Sequence, residues 1–452
     1  MPDLIIVGGG LAGCEAAWQA AKFGLKVTLF EMRPIKETGA HTTDFLSELV
    51  CSNSFGSNLV NRVSGLLKEE IRMLGSFILE CAEQNAVPAG GALAVDRDDF
   101  ARMVTNRITR NPNIDVIRKE IMQIPHKPAI IASGPLTSEA ISTSIQKLLG
   151  QDNLYFYDAI APIVTVGSIN MDIAYRASRY GRGNNEDGDY INCPFTKEQY
   201  SSFINSLLTA NKIELRSFEK KVTNGVRAGS KEFFEGCLPI EVLAERGHDA
   251  LAYGPMRPVG LINPKTGKHP FAVLQLRQDN LAGSLYNLVG FQTNLTYSEQ
   301  NRILRMIPGL ENAEFIRYGQ MHRNTFISSP AILKPDLQLK QRHGLFFAGQ
   351  IIGVEGYIGN VSTGLLAGIN AASYIKTKRT YILPVTTIIG ALCNYVSTCD
   401  KNHFQPMKAN FGILPEFSEK VRGKRNRAKA HAERSLADLK KYLEVEMTQV
   451  IK

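Results

Sequence analysis

The stretch LIIVGGGLAG, residues 4–13, decides how the rest of the chain is read. Leu4, Ile5, Ile6 and Val7 form the short apolar run expected of a strand buried on both faces of a parallel sheet. The run breaks at three glycines, and Gly8, Gly10 and Gly13 hold the spacing of a dinucleotide-binding turn. Gly8 permits the tight turn, Gly10 lets a pyrophosphate approach the backbone, and Gly13 allows a helix to pack closely on the strand. Gly9, Leu11 and Ala12 complete a loop whose N–H groups, at the start of a helix, suit a diphosphate. Residues 14–23 read as that helix, followed by Gly24 and a second strand, KVTLF, over residues 26–30. The strand ends in Glu31, the acid that accepts hydrogen bonds from ribose hydroxyls in such folds. Arg33 is the one cation just after Glu31, a pattern that does not favour a 2′-phosphate.

Two later segments favour FAD over NAD. Residues 128–135, PAIIASGP, form a strand ending at Ser133 and Gly134, a frequent partner of the first loop in FAD domains. Residues 344–350, GLFFAGQ, form another strand entering a glycine-rich loop at Gly349 and Gln350. The chain then runs through Gly353, Glu355, Gly356 and Tyr357, and a Gly359-Asn360 loop, into a helix of small residues over 362–372. NAD domains are usually contiguous and lack this return. The expected fold class is therefore α/β: a Rossmann-like FAD-binding domain in two parts, residues 1–150 and 331–452, interrupted by an α+β insertion domain at 151–330. Within the insertion, residues 152–158, 271–277 and 285–291 carry strand patterning, and 182–189 a polar, glycine-punctuated loop. Residues 416–452 read as a basic helix.

Composition narrows the function classes. A chain of 452 residues with 44% hydrophobic and 21% charged residues is ordinary for a globular protein of two or three domains. No run reaches the roughly 18 apolar residues of a membrane span, and the N-terminus lacks a secretory pattern, so the expected location is the cytoplasm, away from the membrane. The seven cysteines (14, 51, 81, 193, 237, 393 and 399) show no CxxC or Cys/His ligand spacing. That argues against a zinc site, a disulfide framework and a disulfide oxidoreductase. The net charge of +9 is consistent with a polyanionic partner.

Seven short motifs go beyond a generic flavoprotein: ELVCSNS (48–54), LLKEE (66–70), VPAGGALAVDR (87–97), YINCP (190–194), FEGCLPIE (234–241), MHRNT (321–325) and FQPM (404–407). Together they resemble the folate- and FAD-dependent tRNA (uracil-5-)-methyltransferase family, TrmFO or Gid, from residue 1 to about 430. The resemblance implies methylation at C5 of the T-loop uridine (position 54 by tRNA convention), with 5,10-methylenetetrahydrofolate as carbon donor and NAD(P)H as the source of electrons for FAD. It implies tRNA and folate as partners and no obligate protein partner. A similar enzyme acting on a 23S rRNA uridine, or a wobble-uridine flavoprotein carrying a longer helical C-terminal region, are the alternatives.

Uracil C5 is a poor nucleophile until a thiolate adds at C6, so the implied chemistry needs a reactive cysteine, a reduced flavin, a folate pocket and a base-flipping surface. Cys237, beside Gly236, resembles the family's nucleophile, and Cys51 a second cysteine near the flavin. How the two divide the work stays open, and so does the general base. Glu235 and Glu241 flank Cys237 on what reads as a solvated turn. Arg277, His322, Arg323, Asn324 and Lys408 lie in family-like motifs as candidates for folate, and equally for RNA phosphates.

Overall fold

The computed structural model describes residues 1–150, 154–183, 185, 187–213, 238–401, 404–419 and 421–447. Its organising element is a five-stranded sheet in the order 345–347, 129–131, 4–7, 27–31, 114–118. All four pairings are parallel, with Leu4 opposite Val27, Ile5 opposite Ala129, and Ala129 opposite Leu345. The strand Leu345–Phe347 therefore completes a sheet begun more than 300 residues earlier. Parallel strands buried on both faces need continuous apolar runs, which is why LIIV, AII and LFF carry no alternation.

The first helix, Leu11–Lys22, starts three residues earlier than the glycine spacing suggested, directly after Gly10. It packs on the long helix Tyr357–Thr377. A Cβ at Gly364 would stand 2.3 Å from the Ala12 carbonyl oxygen, and one at Gly368 2.6 Å from that of Ala16. The small residues of the second helix thus let two helix backbones touch. This helix also begins earlier than expected, because Gly356 (φ +84) turns the chain and Tyr357 already lies in the first turn. The Gly359-Asn360 pair is accordingly helical rather than a loop. The basic C-terminal helix is confined to Lys424–Glu446 among the described residues.

Two large apolar clusters form. One draws on residues between Leu4 and Leu149 and between Phe326 and Met447; the other lies between Val164 and Ala313. The second cluster backs an antiparallel sheet of six strands, ordered 175–176, 190–195, 272–278, 285–288, 163–165, 315–317. The strands that lead into and out of this region, Leu154–Ala159 and Met321–Phe326, pair with each other. Buried carboxylates tie the helices of the first cluster together. Glu15 accepts from the N–H groups of Phe77 and Ile78, and Glu70 from those of Ile388 and Ile389 at 2.7 and 2.8 Å. Among the described residues no helix is long and apolar enough to cross a membrane.

Candidate functional site

The glycine loop is built as its spacing demands. Gly8 has φ +109, and a Cβ there would meet the Ala132 carbonyl oxygen at 2.4 Å. A Cβ at Gly13 would fall 1.8 Å from the Gly8 carbonyl oxygen, so only glycine lets the first helix approach the strand. Gly10 has nothing within 4 Å of where its Cβ would be: this is open space over the helix start. Neither the first helix nor Tyr357–Thr377 has a side-chain cap, which leaves first-turn N–H groups for a ligand.

Gly8, Gly9, Gly10, Leu11, Ala12, Glu31, Ser133, Gly134, Gly349 and Gln350 all line one cleft of about 1020 Å³. Gly13 lies beneath it as a packing residue. Ser133 is fixed by Thr137 at 2.8 Å, Gln350 by Glu355 at 2.9 Å, and the Gly349 N–H by the Thr363 hydroxyl at 3.0 Å. Glu31 accepts three hydrogen bonds, from the Gly9 N–H (3.0 Å), the Arg33 N–H (3.0 Å) and Arg33 Nε (3.1 Å). An ionised carboxylate has about four acceptor sites, so roughly one is left for a ribose hydroxyl. Burial pushes the Glu31 carboxyl up, but the Arg33 charge and these hydrogen bonds outweigh it and hold the group below the usual range. Two buried amide oxygens at the clefts have no hydrogen-bond partner among the described residues: Asn360 Oδ1, on the wall shared with the neighbouring cleft, and Asn324 Oδ1. A flavin dinucleotide fits these features: residues 10–12 would hold its diphosphate, and the Asn360 oxygen would accept from an N–H of its ring.

The neighbouring cleft, about 1270 Å³, shares Val50, Pro135, Gln350, Tyr357 and Asn360 with the first. Cys51 lines it, as do Asn324 and Lys408. The Cys51 segment is held from both sides. The Tyr357 hydroxyl accepts from the N–H groups of Cys51 (2.9 Å) and Ser52 (3.2 Å). Behind it, Arg97 donates to the carbonyls of Leu49 (2.7 Å) and Cys51 (3.3 Å), and Arg317 to that of Val50 (2.6 Å). Arg97 is anchored in turn by both oxygens of Asp279, at 3.0 and 2.9 Å. Arg277 lines neither cleft; its Nε donates to Asn53 Oδ1 at 2.8 Å, two residues from Cys51. Three guanidiniums and one carboxylate thus brace residues 49–53, the segment that carries Cys51. Lys68 Nζ braces the cleft wall by donating to the carbonyls of Phe55 (3.2 Å) and Gly56 (2.8 Å). Burial holds its pKa down to about 7.

Cys237 and Glu235 lie outside the described residues. For His322 and Arg323 the structure describes the strand and nothing of the side chains. Lys408 stands at the exposed rim, on a strand paired with Val354–Glu355. Glu241 departs from the solvated turn expected of it. It is 1% exposed on the helix Ile240–Ala244 and accepts from Thr293 Oγ1 (2.9 Å) and the Asn294 N–H (2.7 Å). It anchors the chain just after Cys237. Cys14, Cys81, Cys193 and Cys393 are buried, and burial raises each thiol's pKa, to about 12 for Cys14, Cys81 and Cys393. Arg97, Asp279, Arg317 and Tyr357 carry no local sequence signal of a site, since the fold joins them from distant parts of the chain.

The glucose inhibited division protein A family (GIDA) matches residues 3–379. The chain is 50% identical over 442 residues to the methylenetetrahydrofolate–tRNA-(uracil-5-)-methyltransferase TrmFO of Halalkalibacterium halodurans, covering 98% of this chain and 99% of that protein. It is 52% identical over 431 residues to the enzyme of the same name from Bacillus subtilis, covering 95% and 96%. Among solved structures, GidA of Aquifex aeolicus superposes with a TM-score of 0.66 at 17% identity, over 99% of this chain and 77% of that one, a likeness of fold.

Proposed function

The chain belongs to the TrmFO/GidA family of enzymes, and from that premise we propose that it methylates C5 of the T-loop uridine of tRNA with 5,10-methylenetetrahydrofolate. The observation that carries this reading is the continuous cleft. It joins a dinucleotide-binding loop to Cys51, whose backbone segment Arg97 and Arg317 hold, with Tyr357 and Asn360 at the junction. Bound FAD, reduced by NAD(P)H, supplies hydride to the carbon carried from folate.

The chain's own residues bind, orient and polarise. Gly10, Leu11 and Ala12 hold the diphosphate on helix N–H groups, and Glu31 takes a ribose hydroxyl. Asn360 and Asn324 offer their orphaned oxygens to N–H groups of the flavin or the pterin. Cys237 adds to uracil C6, making C5 the nucleophile, and Cys51 is the thiol that lines the cleft. Arg97, Arg317 and Tyr357 fix the backbone that presents Cys51. Lys408, at the rim, suits the carboxylates of the folate tail.

The test is to incubate the FAD-loaded protein with unmodified tRNA or 23S rRNA, methylenetetrahydrofolate and NADH, and to analyse the nucleosides by mass spectrometry. The expected product is 5-methyluridine in tRNA, abolished in Cys237→Ala and strongly reduced in Cys51→Ala. Product in 23S rRNA alone would move the substrate to the ribosome. No 5-methyluridine from folded, yellow protein would overturn the reading.

A further inference from the structure

Modifying a base in an RNA requires the rest of that RNA to be held outside the cleft. The C-terminal helix Lys424–Glu446 packs on the body through His431, Ala432, Ser435, Leu439 and Leu443, spaced three or four residues apart after the first pair. Its first two turns bury nothing. Residues 422–429 read RGKRNRAK, with five cations and no acid, all five exposed. Lys429 lies 3.7 Å from Glu433 in an open surface pair. Arg422, Lys424, Arg425 and Arg427 form no ion pair among the described residues. Cations in the first turn face the positive end of the helix dipole, so the cluster weakens the helix that carries it. No acid among the described residues compensates it.

The cluster adjoins the cleft. Leu59, Val60 and Asn61 face Lys429, Glu433 and Leu436 across a groove of about 720 Å³. The same segment continues to Val63 and Ser64, which line the Cys51 cleft. Three residues of extended chain span at most about 11 Å. Arg62, exposed and without an ion pair among the described residues, lies between the two.

We propose that the strip formed by Arg62, Arg422, Lys424, Arg425 and Arg427 binds the phosphodiester backbone of the RNA substrate beside the base that enters the cleft. The inference rests on the RNA-modifying reading above. Such contacts set register and orientation without reading sequence. Each phosphate neutralised steepens the fall of log K with log salt by roughly 0.9.

The test measures binding of an unmodified tRNA transcript to the flavin-loaded full-length protein by fluorescence anisotropy, from about 50 to about 200 mM salt. The fourfold variant Arg422→Gln/Lys424→Gln/Arg425→Gln/Arg427→Gln should flatten the slope by about 3 to 4, so that native affinity falls about 100-fold more than the variant's across that range. Glutamine matches arginine and lysine in helix propensity, so helicity by circular dichroism should be kept. At subsaturating RNA the yield of 5-methyluridine should fall in step with the affinity, because these contacts position RNA. A control, Lys440→Gln/Lys441→Gln at the far end of the same helix, should leave the slope unchanged. An unchanged slope in the fourfold variant, or equal flattening in the control, would overturn the inference and leave the function standing. A native protein that binds no RNA would overturn both.

Discussion

Replacing Arg97 tests whether the cleft is assembled as described. Its guanidinium makes two contacts to Asp279 and one each to the carbonyls of Leu49 and Cys51. Asp279 is 4% exposed, and Arg97 is its one side-chain partner among the described residues. Arg97→Met therefore leaves a buried carboxylate without its cation, which costs about 3–5 kcal/mol. The two carbonyls lose donors worth about 1 kcal/mol each. Arg97→Met/Asp279→Leu removes both charges and should recover most of the ion-pair cost, a coupling energy on the order of 3 kcal/mol. Urea unfolding followed by the fluorescence of Trp18, the only tryptophan, measures each corner of the cycle. Methylation should suffer in both variants, by about 100-fold, because the Cys51 segment loses its rear support and shifts of about 1 Å cost that much. If Arg97→Met costs under about 1 kcal/mol, or the double variant costs the sum of the two singles, the proposed anchor is wrong.

Three further outcomes follow from particular contacts. Gly13→Ala puts a methyl 1.8 Å from the Gly8 carbonyl oxygen, so the protein should purify colourless, destabilised by about 3 kcal/mol or more, as absorbance near the flavin bands and urea melts will show. Tyr357→Phe removes the acceptor of two backbone N–H groups. It should cost about 2 kcal/mol and speed hydrogen exchange at Cys51 and Ser52. Glu70 is raised by burial to about 7 in the folded protein, well above its unfolded value. A raised carboxyl binds protons on folding, so its contribution is fully present below the unfolded value and is lost as pH rises through about 7. Between about pH 5 and 8, native protein should lose on the order of 2–3 kcal/mol that Glu70→Gln does not lose, read as the difference of their urea midpoints across pH.

The sheet and the glycine loop were legible because their constraints are local. An uninterrupted LIIV run, glycines at fixed spacing and an acid about 20 residues on each follow from backbone geometry around a diphosphate. Boundaries were less legible. Both helices flanking the cleft begin at glycine turns, so Leu11 and Tyr357 already lie in first turns that side-chain pattern alone does not mark. The Cys51 surround was hidden for a different reason: Arg97, Asp279, Arg317 and Tyr357 meet only after the six-stranded sheet docks on the glycine-loop part. Periodicity carries no information about such long-range ion pairing. Glu241 shows the converse, an acid on an apparent turn that folding buries against Thr293 and Asn294.

In the proposed function the carbon placed on uridine comes from folate. The most direct measurement supplies the FAD-loaded protein, unmodified tRNA and NADH with methylenetetrahydrofolate deuterated at its methylene, alongside unlabelled S-adenosylmethionine, and weighs the 5-methyluridine formed. The deuterium label should appear in the methyl group of every product nucleoside, and omitting S-adenosylmethionine should change nothing. Unlabelled product, or product that depends on S-adenosylmethionine, would contradict it.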